Sequence, residues 1–285
     1  MVRTGASVAF ALAALVSSSC FVRHRIVPAP GKVQNRPLLT ATKDDLIARI
    51  HRVYDPIQSF NLRADMAPSV GTLYGGELTD YATIRAYILF RRPDHIRVMG
   101  LDPVVHSTRI FDMVSMGSVF HVYIPSKNAF YIGDNNAPPS SKNKMENLRP
   151  TAFLTSLIVA PPDASDRTML EDDTDESKAV YIVFMIREDR GQLRVHRAVY
   201  FDRYTLDIVR QKSFDESGEI LSETRYSEWK DYEGNAFPST IVIRRPKDGY
   251  EVTMTVVSIK FNPPDLTPEQ FVLEQPPGAK LTEIK

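Results

Sequence analysis

From residue 59 onward, apolar and polar side chains alternate with a period of two over most of the chain. Phe60, Leu62, Ala64 and Met66 share one face of a strand predicted over 60–66. Further strands follow over 72–78, where Gly75-Gly76 marks a bulge, over 81–90, and over 95–101. Residues 95–135 read as four short strands. They are joined by a loop of Asp102, Pro103, Val104, Val105 and His106 and by tight turns at Met116-Gly117 and Ser126-Lys127. Here the alternation holds only in part. Segments 110–114 (IFDMV) and 119–124 (VFHVYI) place bulky apolar groups on both faces. Such a sheet must cover both faces, or line a cavity with one of them.

Residues 179–186 (AVYIVFMI) form the most apolar strand, predicted to be buried on both sides. Long strands over 193–204, 208–214, 220–232, 237–245 and 251–261 follow, with turns marked by Gly191, Gly218, Gly234 and Gly249. Two segments break the period of two. In 42–54, Thr42 caps a helix whose Leu46, Ile47, Ile50, Val53 and Tyr54 recur at helical spacing. In 148–159 a second apolar helix tolerates Pro150 in its first turn. Residues 266–271 read as a short helical turn. These elements define a mainly β (α+β) fold class. It is a strongly curved antiparallel sheet, or incomplete β-barrel, with two helices covering its concave face.

The first residues belong to a different regime. Arg3 precedes the apolar run 6–16, which falls short of the roughly 20 residues of a membrane span, and Ser17, Ser18 and Ser19 lead into Cys20. Residues 1–19 are read as a signal peptide. Cys20 is the single cysteine, so no internal disulfide forms and the thiol is either free or modified. Its setting resembles a bacterial lipobox, with Ser17 standing where an aliphatic residue is usual, and Cys20 is taken as the lipidation site. Residues 20–40 carry Arg23, Arg25, Lys32 and Arg36 without an acid, and three prolines keep them extended: a lipidated basic tether, or a plain solvated linker. The folded domain is expected over 41–285, interrupted by an acidic flexible insertion at 160–178. That run lacks the glycine a calcium loop needs.

Lys+Arg and Asp+Glu both count 35, so no global field points to nucleic acid as a partner. No GxSxG, HExxH, GxGxxG or Walker A pattern occurs, and the six histidines show no metal-ligand spacing. The expectation is no enzyme, no cofactor and no metal.

The order of elements over 42–284 resembles the LolA/LolB family of periplasmic lipoprotein carriers and receptors, and the related RseB sensor domain. Three stretches carry the resemblance: the first helix followed by Ile57-Gln58-Ser59-Phe60; Arg97 to Val105 (RVMGLDPVV); and the ending with Phe261-Asn262, Phe271 and Pro277-Gly278. Asp102, Pro103, Val104 and Val105 are similar to the receptor's protruding loop, with Val104 smaller than the leucine found there. The resemblance implies a membrane- or ligand-transfer role for that loop. It also implies a cavity arginine, for which Arg63 and Arg85 are candidates by strand position. The expected ligands are acyl chains of lipoproteins or other lipids, in a cavity lined by Tyr87, Leu89, Met99, Phe111, Met113, Phe120, Val122, Phe184 and Ile186. A periplasmic carrier protein is a further expected partner, and a lipid anchor at Cys20 would hold the chain to the periplasmic face of the outer membrane. The alternative is an RseB-like envelope sensor or protein-interaction module.

Overall fold

The structure, a computed structural model, describes residues 37–71, 76–102, 104–105, 108–135, 149–175 and 177–284. The expected signal peptide, Cys20 and most of the expected tether lie outside the described residues, as do Pro103 and His106.

Helix α1 (Lys43–Tyr54) opens the domain on a capping box in which Thr42 and Asp45 satisfy each other's backbone N–H. The strands then follow in order: β1 (Ser59–Gly71), β2 (Leu78–Asp80), β3 (Ile84–Arg91), β4 (His95–Leu101), β5 (Arg109–Met116), β6 (Val119–Ile124) and β7 (Ala129–Asp134). After α2 (Pro150–Leu157) come β8 (Arg167–Thr174), β9 (Ala179–Asp189), β10 (Gln192–Asp202), β11 (Ile208–Phe214), β12 (Ile220–Tyr232), β13 (Asn235–Arg245) and β14 (Tyr250–Phe261). A strand β15 (Lys280–Ile284) closes the chain.

All the strands belong to one sheet. Its order is β15-β7-β6-β5-β4-β3-β1-β14-β13-β12-β11-β10-β9-β8, with β2 hydrogen-bonded to the end of β1. The two meanders β3–β7 and β8–β14 are joined through β1, which pairs with β3 on one side and β14 on the other. The sheet ends on β8 and β15 rather than closing, in keeping with the expected incomplete barrel.

Each face has its own core. On the inner face, Leu62, Ile88, Val98, Met113, Val183 and Ile241 pack against Leu46 and Ile50 of α1 and Phe153 and Leu157 of α2. Each such buried side chain contributes about 1.5–3 kcal/mol relative to exposure. On the outer face of β3–β7, Leu89, Val114 and Phe130 pack under Phe271, Leu273 and Ala279 of the C-terminal segment. The two-faced apolar pattern of 95–135 thus has two separate covers.

The expected flexible insertion is corrected in part. Arg167–Thr174 is an edge strand, paired with β9 over its full length. Leu170 packs against the inner core, and the acids have cationic partners: Arg203 to Asp172 at 2.9 Å and Lys178 to Asp173 at 2.7 Å. Strand β15 is a second departure from the expected order. It pairs in parallel with β7, from Lys280 opposite Ala129 to Ile284 opposite Gly133.

Candidate functional site

The inner face and its two helices form the first part of the site. Polar groups of the sheet hold the C-terminal end of α2: Gln211 Nε2 donates to the Thr155 carbonyl and the Tyr226 hydroxyl to the Ser156 carbonyl, both at 2.8 Å. Two carbonyls that the helix itself leaves unpaired are thereby satisfied. Burial pushes the Tyr226 phenol well above its ordinary range, which keeps it a neutral donor. Just beyond the helix, Arg197 Nη2 donates to the Pro161 carbonyl at 2.8 Å. At the other end of α2, the Arg149 guanidinium lies 4.7 Å above the Phe120 ring, and burial lowers its pKa.

Side chains fill the space beneath the helices. At the junction of α1 and α2, a cavity of about 10 Å³ lies between Tyr54, Ile57, Leu157, Val159, Trp229 and Phe237. It has room for about one water, against about 300 Å³ or more for a drug-sized ligand.

The nine residues expected to line one cavity lie on two faces. Met113 stands opposite both Val98 and Val122, and Phe111 and Phe120 are two residues along the same strands, so these four face inward. Tyr87, opposite Met99, and Leu89 point outward on β3 and β4. Leu89 and Met99 lie in the core beneath the C-terminal segment. On β9, Tyr181, Val183 and Met185 face inward, so the intervening Phe184 and Ile186 face outward. Alternation in a strand therefore limits the inward set to Phe111, Met113, Phe120 and Val122. It also removes Arg63 and Arg85 from the interior: both alternate with inward-facing residues, and Arg85 pairs with Asp65 at 2.7 Å. Arg149 and Arg197 do lie at the inner core, and no local sequence signal marked them.

The β4–β5 loop is the second part of the site. Asp102 Oδ1 accepts the backbone N–H groups of both Val104 and Val105 at 2.8 Å. Asp102 N donates to the Thr108 carbonyl at 2.8 Å, and Thr108 N donates to the Val105 carbonyl at 2.7 Å. The clamp leaves Val104 85% and Val105 52% exposed.

Elsewhere the polar clusters are tied to structure. Asp166, its side chain fully buried, accepts from His196 Nε2 at 3.0 Å and from Arg187 at 2.9 Å. On the outer face Asp112, also fully buried, is bound by Arg97 and Arg109. Among the described residues no group of three or more His, Cys, Asp or Glu side chains is placed to hold a metal ion. Among them, too, no helix is long and apolar enough to cross a membrane.

No family model and no curated protein sequence matches the chain. Solved structures do. A LolA superfamily protein from Nitrosomonas europaea superposes with a TM-score of 0.52 at 15% identity, covering 82% of this chain and 99% of that one. A putative outer membrane lipoprotein-sorting protein domain from Vibrio parahaemolyticus gives 0.51 at 12% identity over 79% and 94% of the two chains. The chain has a LolA-type fold. A DUF1329 family protein from Desulfovibrio piger gives 0.51 at 14% identity, with 80% of this chain and 95% of that one covered. At these identities the likeness concerns the LolA-type fold alone. Any ligand of this chain has to be argued from its own residues.

Proposed function

We propose that this LolA-type chain binds acyl chains between the inner face of its sheet and its two helices, in the sorting or localisation of lipoproteins. The observation that carries this reading is the cover itself. An open sheet presents an apolar concave face to two short helices, of 12 and 8 residues, that meet at a small cavity. A sixteen-carbon chain leaving a bilayer for water loses most of roughly 12 kcal/mol, at about 0.8 kcal/mol per methylene. Phe111, Met113, Phe120 and Val122 supply apolar surface to offset that loss, and a methionine repacks around flexible ligands at small cost. The filled interior is the closed state in this reading, and lifting α1 or α2 opens it.

The Asp102-Pro103-Val104-Val105 loop is the transfer element, its exposed valines touching the membrane or a carrier. Residues 1–19 direct export, and acylation of Cys20 anchors the chain at the periplasmic face of the outer membrane. A second reading, an RseB-like sensor or protein-interaction module, is favoured by the small cavity, because a partner protein needs no acyl-sized space.

Native mass spectrometry of the full chain after gentle detergent extraction separates the two readings. A bound acyl lipid or lipopeptide, with faster hydrogen exchange in α1 or α2 when it is stripped, is expected. A chain that stays bare in excess lipid overturns the acyl-binding reading and leaves the sensor. A Cys20→Ala form retained in the outer membrane refutes the anchor.

A further inference from the structure

Strand β8 is one of the two ends of the sheet. It pairs with β9 over its full length, and among the described residues no strand pairs with its other side. Such an edge presents a row of unpaired N–H and C=O groups that a further strand can fill. Its side chains change character along the edge. Met169 and Leu170 are apolar, Met169 being 50% exposed, and Glu171, Asp172 and Asp173 follow directly. Leu170 packs on the inner core, so Leu170 and Asp172 face inward while Met169, Glu171 and Asp173 face outward. Glu171 stands beside Ile182 of β9 and pairs with no cation among the described residues. Asp172 has Arg203 and Asp173 has Lys178. Arg167, the one cation of the strand itself, lies at its opposite end, 3.9 Å from Glu188.

The chain enters the fold beside this edge. Leu39 N donates to the Arg203 carbonyl at 2.7 Å, and the Arg203 guanidinium donates to the Leu39 carbonyl at 3.5 Å and to Asp172 at 2.9 Å. Upstream, Val22-Arg23-His24-Arg25-Ile26-Val27 is free of acid, glycine and proline, and Pro28 ends the run. Set antiparallel to β8, this segment matches it position by position. Arg23 meets Asp173, His24 meets Asp172 and Arg25 meets Glu171; Ile26 then meets Leu170 and Val27 meets Met169. Both arginines share the outward face with the outward acids, and Ile26 shares the inward face with Leu170. Opposite charges and apolar groups directly across a strand pair are stabilising. A one-residue slip in either direction sets Arg25 against Leu170 or Ile26 against Glu171, so one register stands out. Residues 28–38 can close the connection: extended they reach about 35 Å, and Met169 to Asp172 along β8 is about 10 Å.

We propose that residues 22–27 of this chain add to the free edge of β8 as a further antiparallel strand, with Arg25 opposite Glu171. Two independent observations select this occupant: the entry of the chain at Arg203 and Asp172, and the match of charge and apolar positions in a single register. A segment of the same chain is also held at a high effective concentration, which an outside strand is not. Docked, Val22 lies opposite Thr174 and residue 20 is held at that end of the edge. Released, residues 21–36 give the domain a reach of about 50 Å at about 3.1 Å per residue. The edge of β8 thereby sets how far the domain stands from an anchor at Cys20. That consequence rests on the anchor reading; the docking itself does not.

Hydrogen exchange of the full chain tests the pairing. Amides of residues 22–27 and of β8 should exchange about tenfold more slowly than in an Arg25→Glu chain. Arg25→Glu combined with Glu171→Arg reverses the pair and should restore the slow exchange, since Glu171 has no other cation to lose. A disulfide reads the register. In a Cys20→Ser chain, Val27→Cys with Met169→Cys should close within one molecule on mild oxidation, whereas Val27→Cys with Thr174→Cys should not. Four results overturn the proposal: fast exchange over 22–27 in the native chain, β8 exchange indifferent to Arg25→Glu, no recovery in a reversed-pair chain that keeps its circular dichroism spectrum, or equal closure of the two cysteine pairs. A Val27–Met169 disulfide formed only between molecules, with a dimer in sedimentation, would assign the edge to a second copy and likewise overturn it. None of these measurements reads acyl binding, so either idea fails without the other.

Discussion

Asp102 fixes Val104: one carboxylate oxygen accepts the valine's backbone N–H at 2.8 Å, and the same oxygen takes the N–H of Val105. On the valines the carboxylate takes backbone groups only, and both valine side chains stay in solvent. Stability and transfer activity should therefore separate at this loop. Val104→Glu with Val105→Glu is expected to change the unfolding free energy by no more than the roughly ±0.5 kcal/mol typical of surface changes while abolishing transfer of a labelled acyl lipid to acceptor vesicles. Asp102→Ala keeps the valines and releases the backbone, so transfer should fall less steeply. Unchanged transfer in the double glutamate variant would remove the loop from the mechanism.

The outer face depends on Arg97. Its guanidinium binds both oxygens of the buried Asp112, at 2.9 and 2.7 Å, and donates to the Gln270 carbonyl at 2.7 Å. Arg97→Ala strands a buried charge and loosens the C-terminal segment. Breaking a buried pair from one side costs about 3–5 kcal/mol, and because Arg109 stays on Asp112 at 2.7 Å, the lower end is expected. Urea denaturation reads it. Faster exchange of the amides around Phe271 should accompany the loss.

What the sequence shows of this fold follows from distance along the chain. Alternation is local, so strands such as Phe60 to Met66 and the turns at Gly191 and Gly234 are plain from their own residues. The cover over a strand is not local. Met99 and Phe111 have similar patterns in 95–135, yet one packs toward the C-terminal segment and the other toward the inner core with α2. Nothing near either residue says which. The acidic run failed as a linker for the same reason: the cations that pair its acids, Arg187 with Asp163 and Asp166 and Arg203 with Asp172, lie on β9 and just beyond β10. Strand β15 is short and mostly exposed, so no apolar face announced it. Thr42, by contrast, marked its own cap through the acid three residues later.

Two glycines make room for inward-facing rings. A Cβ on Gly100 would meet the Phe111 ring at 2.5 Å, and one on Gly133 would meet the Phe120 ring at 2.8 Å and the Ile284 carbonyl oxygen at 2.9 Å. The shorter contact should be the milder one. Phe111 is only partly buried and its ring can swing, whereas Phe120 is buried beneath Arg149 and the Ile284 oxygen is backbone. Gly133→Ala is expected to cost about 1–3 kcal/mol, as overpacking does, and to detach β15 from β7. Gly100→Ala should cost less in the same thermal melts. The reverse order would mean that β15 yields before the Phe111 ring does.

His196 should give the fold an acid-side weakness. It packs against Asp166 and Arg187, with Arg197 next to it on β10. Burial disfavours its charged form; Asp166 pulls the other way, Arg187 and Arg197 add to the burial effect, and the ring titrates below its ordinary 6.5. The unfolded chain then takes up this proton at a higher pH than the folded one. The stability tied to the neutral ring is thus complete above pH 6.5 and is lost as the pH falls from there through the lowered folded value. Asp166 adds a later loss. Burial tends to raise its carboxyl, but the Asp163 N–H, Arg187 and His196 outweigh it and hold it below 3.8, so its share disappears only as the pH falls below that value. Urea midpoints measured from about pH 7.5 down to about pH 5 should decline in the native chain. In His196→Gln, which keeps a polar contact to Asp166 without a titrating ring, that decline should flatten. Parallel declines in both proteins would place the acid sensitivity elsewhere than at His196.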